Sequence, residues 1–210
     1  MLNQEYQILK EFTQTPWRKY TFKQIKKLSR KSSESYVFST LKKLVKLGIL
    51  KQEKAGNVIL YSLNISSKKA QIFAGFTAEY HCFQQKRIPF RNLEEISTKI
   101  PTSFYILIIT GSYAHGTQRD DSDLDVAIIC DDMMEPKRIY AELRLACELC
   151  IPEIHLYVFK KSEFLAMLLD KSANYGKETV KNNLLAFGGE EYYAILNEAI
   201  DHGFGDKNLS

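Results

Sequence analysis

No stretch of this chain approaches the roughly 18 consecutive apolar residues that a membrane-spanning helix requires, so no membrane segment is expected. The first residues, Met1-Leu2-Asn3-Gln4-Glu5, lack a basic stretch followed by an apolar one, so no secretory leader is expected and a cytoplasmic setting is. Cysteine is scarce. Cys147 and Cys150 form one Cys-x-x-Cys pair with no second pair to complete a zinc set, while Cys82 and Cys130 fall in apolar segments. All four are expected as reduced thiols. There is no internal repeat and no low-complexity segment. His81 and His202 are isolated, and surface or packing roles are expected for them. What remains is ordinary for a protein of one or two domains: 210 residues, 45% hydrophobic and 26% charged.

Acidic residues are scarce in one place. Residues 1–69 carry 15 Lys and Arg against 4 Asp and Glu, a balance of +11. The totals of 29 and 25 leave 14 basic and 21 acidic residues for 70–210, a balance of −7. A net charge of +4 therefore hides two electrostatically different halves, and the basic one suits a polyanion.

Within the basic half, Leu2 to Phe12 has helical spacing, with Tyr6, Leu9 and Phe12 on one side, and Pro16 ends it. Thr21 and Gln24 form a capping box for a second helix whose Phe22, Ile25 and Leu28 face inward. Ser32-Ser33-Glu34-Ser35 leads to a third helix with an apolar stripe of Val37, Leu41, Leu44 and Val45, closed by Gly48. Gly56-Asn57 then joins two strands as a tight hairpin turn. Three helices followed by a hairpin over residues 1–65 resemble a winged helix-turn-helix domain. That resemblance implies double-stranded DNA as a partner. Ser33, Ser35, Tyr36 and Ser39 would meet bases or sugars, and Lys42, Lys43, Lys51 and Lys54 would meet phosphates.

Residues 66–100 read as a helical connector. Phe73, Phe76, Tyr80 and Phe83 recur at helical spacing and are expected in the core or at a domain interface. Asn92 is expected to cap a short helix from Leu93, with Glu95 as partner. Helical spacing recurs around Leu143, Ala146, Cys147 and Cys150, over Ser162 to Leu169, over Asn174 to Leu185 and over Glu190 to Ile200. These helices are expected to cover a sheet or to extend a homodimer surface.

The densest chemistry lies between residues 104 and 130. Phe104 to Ile109 is an apolar, β-branched run, followed by Gly111-Ser112-Tyr113-Ala114-His115-Gly116-Thr117, a polar loop, and Asp121-Ser122-Asp123-Leu124-Asp125 opening a second apolar run. Residues two apart on a strand share a face, so Asp123 and Asp125 are expected to project together near Ser112. Gly111 permits a sharp turn and close approach of a phosphate. Ser112 offers a hydroxyl, and the amides after it can form a helical turn that favours anions. His115, inside the same run, could touch a phosphate. Two hard carboxylates beside such a turn suit Mg2+ and the polyphosphate that it neutralises.

The pattern Gly-Ser-x-Ala-x-Gly, acidic loop, Ser-Asp-x-Asp resembles the minimal nucleotidyltransferases of the DNA polymerase β superfamily. With the winged-helix resemblance it implies an α+β chain: a winged helix-turn-helix, then a small mixed-sheet transferase domain with flanking helices over residues 101–210. It implies a nucleoside triphosphate bound at Gly111 and Ser112, with Mg2+ held by Asp123 and Asp125. The family's third carboxylate is missing. In Pro152-Glu153-Ile154-His155-Leu156-Tyr157-Val158-Phe159, the matching position falls on His155, with Glu153 on the same face. Imidazole is a poorer magnesium ligand than carboxylate but, as a side-chain type, a good general base near neutrality. Asp123, Asp125, His155 and Glu153 are therefore the expected catalytic set. The expected activity is transfer of a nucleoside monophosphate to an acceptor, with a protein among the candidates. The alternative is a DNA-binding regulator whose transferase domain binds nucleotide without turnover.

Overall fold

The computed structural model describes residues 5–31 and 33–209. Leu2, where the first helix is expected to begin, and Ser32 of the serine-rich turn lie outside the described residues. By compactness the chain divides into two units. One comprises residues 1–78 and 189–206, the other residues 79–188 and 207–210. These units cut the chain at other places than the sequence boundaries near 65 and 100.

The first unit begins with α1 (Glu5–Thr13), whose Ile8, Leu9 and Phe12 are buried. A two-residue strand, β1 (Tyr20–Thr21), which sequence periodicity is too short to reveal, leads into α2 (Phe22–Leu28). The Thr21 hydroxyl accepts from the Gln24 amide and the Gln24 side chain returns to the Thr21 amide, as the capping box predicts. Ile25 is fully buried, but Leu28, expected inward, is 45% exposed at the last turn. Then α3 (Glu34–Lys46) buries Val37, Thr40, Leu41 and Leu44. The strands β2 (Leu50–Ala55) and β3 (Val58–Leu63) pair antiparallel around Gly56-Asn57, and β1 adds to the far side of β3 in the order β1-β3-β2.

The chain passes from the first unit to the second within α4 (Lys68–Phe83). Of the aromatic stripe expected in a core or at a domain interface, Phe76 is 41% and Phe83 46% exposed, with Phe73 and Tyr80 half-buried. The small residues Ala70, Ala74, Gly75 and Thr77 are buried instead.

In the second unit, α5 (Phe90–Ser97) starts after Pro89. Asn92 is therefore not its cap; it lies in the first turn and its side-chain amide donates to the Ile151 carbonyl at 3.0 Å. The sheet is built from β4 (Tyr105–Ile109), β5 (Leu124–Cys130), β6 (Ile154–Lys160) and β7 (Leu184–Phe187) in the order β6-β5-β4-β7. Between β4 and β5 lies a one-turn helix, α6 (Gly111–His115). Between β5 and β6 runs α7 (Pro136–Glu148), with Pro136 in its first turn, where a missing N–H is harmless. After β6 come α8 (Lys161–Leu169) and α9 (Tyr175–Lys181). The stretch expected as one helix from Asn174 to Leu185 thus splits into α9 and β7. The β5–β6 pair is parallel and the others are antiparallel, so the sheet is mixed.

One face of the sheet presents Leu107, Ile109, Leu124, Val126, Ile128 and Ile154 to a core shared with Leu93 and Ile96 of α5 and Ile139, Leu143 and Cys147 of α7. The opposite face carries the polar row described below. The last long helix, α10 (Gly189–Asp201), groups with the first unit. There it explains the small-residue face of α4: a Cβ added to Gly75 would stand 2.6 Å from the Gly189 carbonyl carbon, so only glycine permits that crossing.

Candidate functional site

The register of three strands sets the site. Ile109 pairs with Val126, and the next amide, Thr110 N–H, donates to the Asp125 carbonyl at 2.9 Å, so Thr110 stands opposite Asp125. On the other side Asp125 pairs with His155. Paired residues share a face, so Thr110, Asp125 and His155 form a row across β4, β5 and β6. The row sits where the apolar strands begin to meet solvent: the Asp125 side chain is 29% exposed and that of His155 59%.

Gly111 stands at the corner where β4 becomes α6, with φ of +61°, in the left-handed region that glycine adopts without strain. A Cβ there would overlap Asp125 Oδ2. Sequence reasoning assigns the bare glycine to an approaching phosphate. In the structure its bare face accommodates the Asp125 carboxylate, which therefore lies directly against the start of the Gly111-Ser112 turn.

Burial pushes the Asp125 carboxyl above the ordinary carboxylate range; His155 opposes that rise and the charge of Asp123 adds to it. Asp123 is exposed, one residue before β5, and close enough to act on Asp125 electrostatically. His155 Nδ1 lies 3.8 Å from Asp125 Oδ1, an ion-pair distance and too long for a hydrogen bond. Glu153 is exposed and just outside β6; its carbonyl accepts from the Leu124 amide at 2.8 Å. Glu153 lines, together with His155, a cavity between α7 and β6. The His115 ring nitrogen Nδ1 is within 2.7 Å of the Gly111 carbonyl oxygen, folding that side chain onto its own turn.

Among the described residues, no group of three or more His, Cys, Asp or Glu side chains is gathered closely enough to hold a metal ion. Asp123 and Asp125 instead offer two carboxylates that repel each other, the second partly desolvated. That donor set suits a magnesium ion, which keeps waters and takes substrate phosphate oxygens in place of a complete protein cage.

Sequence reasoning missed three residues here. Thr110 was legible from the alternation of β4, which puts it on the face of Ile106 and Ile108. Tyr175, fifty residues beyond Asp125, carries no local signal. Its hydroxyl is 2.9 Å from Thr110 Oγ1, and its ring packs on Tyr157 at 4.4 Å and Phe159 at 5.7 Å between centroids. Burial drives its phenol up to about 12, with Asp125 among the smaller contributors. The third is Arg87, whose Nε donates to the Tyr113 carbonyl at 2.8 Å and whose Nη2 donates to that of Ala114 at 3.3 Å. Its cation caps the negative end of α6 and holds the turn from behind.

In the first unit, Ser33, Ser35, Ser39, Lys42, Lys43, Lys51 and Lys54 are exposed and Tyr36 is half-buried. Three of these are already engaged. The Ser33 hydroxyl caps α3 by accepting from the Tyr36 amide, Ser39 donates to the Tyr36 carbonyl, and Lys43 Nζ pairs with Glu5 at 2.9 Å. Cys147 and Cys130 are buried core thiols; burial pushes Cys147 up to about 11 and Cys82 to about 12, which keeps both protonated and unreactive. No helix among the described residues is long and apolar enough to cross a membrane.

No curated protein matches the chain. Among solved structures, a chain described as "Crystal structure of the toxin-antitoxin with AMP-PNP" is 12% identical with a TM-score of 0.40, over 55% of this chain and 86% of that one. Residues 93–183, the stretch that builds the Thr110–Asp125–His155 row, match the family model of the nucleotidyltransferase domain.

Proposed function

We propose that this chain is a magnesium-dependent nucleotidyltransferase that moves a nucleoside monophosphate from a nucleoside triphosphate to an acceptor hydroxyl, with a protein as the acceptor, in the cytoplasm. The observation that carries the reading is the Asp125 carboxylate seated against Gly111, with Asp123 and His155 beside it. In this reading Gly111 and Ser112 bind the polyphosphate through the amides of α6. Asp123 and Asp125 hold the cation, which supplies charge neutralisation to the phosphate oxygens when bound. His155 takes the acceptor's proton, and Glu153 helps to place the acceptor. The test is incubation with each labelled triphosphate and magnesium, comparing wild type with Asp123→Asn. Nucleotide transfer or pyrophosphate release lost in the variant supports the reading; equal release by both contradicts it.

One observation favours a second reading, nucleotide sensing without turnover: the residue paired with Asp125 on β6 is His155, where the family resemblance expects a third carboxylate, and among the described residues no acidic cluster replaces it. Binding of nucleotide without pyrophosphate release in the same assay would select it.

Residues 1–65 we propose to be a winged helix-turn-helix domain that binds duplex DNA, with α3 in the major groove and the β2–β3 hairpin as wing. The support is the +11 charge of residues 1–69 and the exposure of Ser35, Lys42, Lys51 and Lys54. Affinity for duplex DNA falling steeply between low and moderate salt is expected, and no binding at low salt would refute it.

A further inference from the structure

We infer that the free edge of β6 is where an extended segment of the acceptor polypeptide docks, adding a strand to the transferase sheet. The inference rests on the transferase reading for its chemistry and on the sheet alone for its geometry.

The two ends of the sheet differ. β7 has four residues and a register shift against β4. β6 has seven residues in unbroken parallel register with β5, and from Ile154 to Phe159 it contains no proline and no Lys, Arg, Asp or Glu. Exposed edges are normally blunted by charge, proline, bulges or shortness; a long, regular, uncharged edge is a pairing surface. The Leu124 amide donates to the Glu153 carbonyl, which fixes the direction of the backbone groups. In such a ladder Glu153, His155 and Tyr157 turn theirs to β5, while Ile154, Leu156 and Val158 turn theirs outward. Among the described residues, no strand lies beyond β6.

A cavity of about 250 Å³ runs beside this edge, lined by Tyr140, Arg144 and Glu148 of α7 and by the consecutive residues 153–157. Alternate residues would line it if one face of the strand formed the wall. Five in succession mean that the wall is the edge itself, whose outward amides and carbonyls are complementary to another backbone and to little else.

The position of the edge connects it to the reaction. Strands lie about 4.8 Å apart, so an added strand extends the Thr110–Asp125–His155 row by one place. A serine, threonine or tyrosine on that face is then the immediate neighbour of His155. Its hydroxyl oxygen bonds to the α-phosphorus of the bound triphosphate as the bond from that phosphorus to the bridging oxygen breaks. Pyrophosphate leaves with the electron pair, and the hydroxyl proton passes to His155. The side chains on the other face of the added strand enter the α7 side of the cavity, where Arg144 and Glu148 stand.

The test is residue-resolved amide exchange of the full chain mixed with pools of random decapeptides carrying one fixed serine, threonine or tyrosine. The control is the same pools N-methylated at alternate backbone nitrogens. Protection of the Ile154, Leu156 and Val158 amides should rise by about tenfold with the unmodified pools and not with the methylated ones. With the four triphosphates and magnesium, the fixed hydroxyl should gain a nucleotide by mass. No protection along β6, or equal protection by methylated pools, overturns the inference. So does protection that grows with concentration of the chain alone, which would assign the edge to a second copy. The exchange readout needs no turnover, so it stands if the transferase reading fails. Transfer to water or a small alcohol without protection of β6 would leave that reading intact and remove this one.

Discussion

The Asp125 carboxylate occupies the space that any side chain at Gly111 would need. The two residues lie fourteen apart in the chain and are brought together because Thr110 and Asp125 pair across the β4–β5 ladder. Gly111→Ala therefore has two costs, a left-handed φ and a displaced carboxylate. It should destabilise the protein by at least about 1 kcal/mol. Nucleotide affinity should fall by far more than that loss explains, as measured by calorimetric titration with a magnesium nucleotide. An alanine variant with undiminished affinity would separate Gly111 from the site.

Asp125 is held above the ordinary carboxylate range mainly by burial. The sign for stability follows from linkage. Folding disfavours the ionised form, so the contribution of this group is most favourable below its unfolded value and is lost as pH rises through the folded one. Asp125→Asn should thus fold at neutral pH with a Tm equal to or above wild type while losing nucleotidyl transfer. Titration of the carboxyl carbon by NMR should show the elevated value. In Asp123→Asn it should move back toward the ordinary range, because the charge of Asp123 is one of the causes.

Tyr175 joins α9 to the row through Thr110, and its phenol, up at about 12, stays protonated at any working pH. Tyr175→Phe keeps the packing on Tyr157 and removes one partly buried hydrogen bond, a loss of about 1 kcal/mol. Tyr175→Ala should cost about 3 kcal/mol, by thermal or denaturant unfolding. Because Thr110 precedes the turn, the alanine variant should also weaken nucleotide binding more than the phenylalanine variant.

Arg87 acts on the same turn from its other end. Arg87→Ala leaves the Tyr113 and Ala114 carbonyls without their donor, and about 1–3 kcal/mol of stability should be lost. Arg87→Lys should recover part of the stability but little of the nucleotide affinity, since an ammonium cannot reproduce the fork of the guanidinium.

What could be read from sequence was what local physics determines. Thr21 and Gln24 announce their capping box, Gly56-Asn57 its hairpin, and the alternation around Asp125 and His155 puts both on one sheet face. Distant pairing was not legible. β1 is two residues long and exists because β3 offers it a partner. Residues 174–185 have helical spacing, yet Leu184 and Leu185 are drawn into the sheet by the open edge of β4. The aromatic spacing of α4 suggested a core or interface stripe and gave no sign of the small-residue face, which the close approach of Gly189 at Gly75 requires to be buried. Tyr175 and Arg87 reach the site only through tertiary contacts that periodicity does not encode.

The most direct measurement is a crystal structure of the chain with magnesium and a non-hydrolysable triphosphate. The account predicts a cation about 2.1 Å from oxygens of both Asp123 and Asp125, with the polyphosphate over Gly111 and Ser112. A nucleotide bound elsewhere, or a cation that touches neither aspartate, would contradict it.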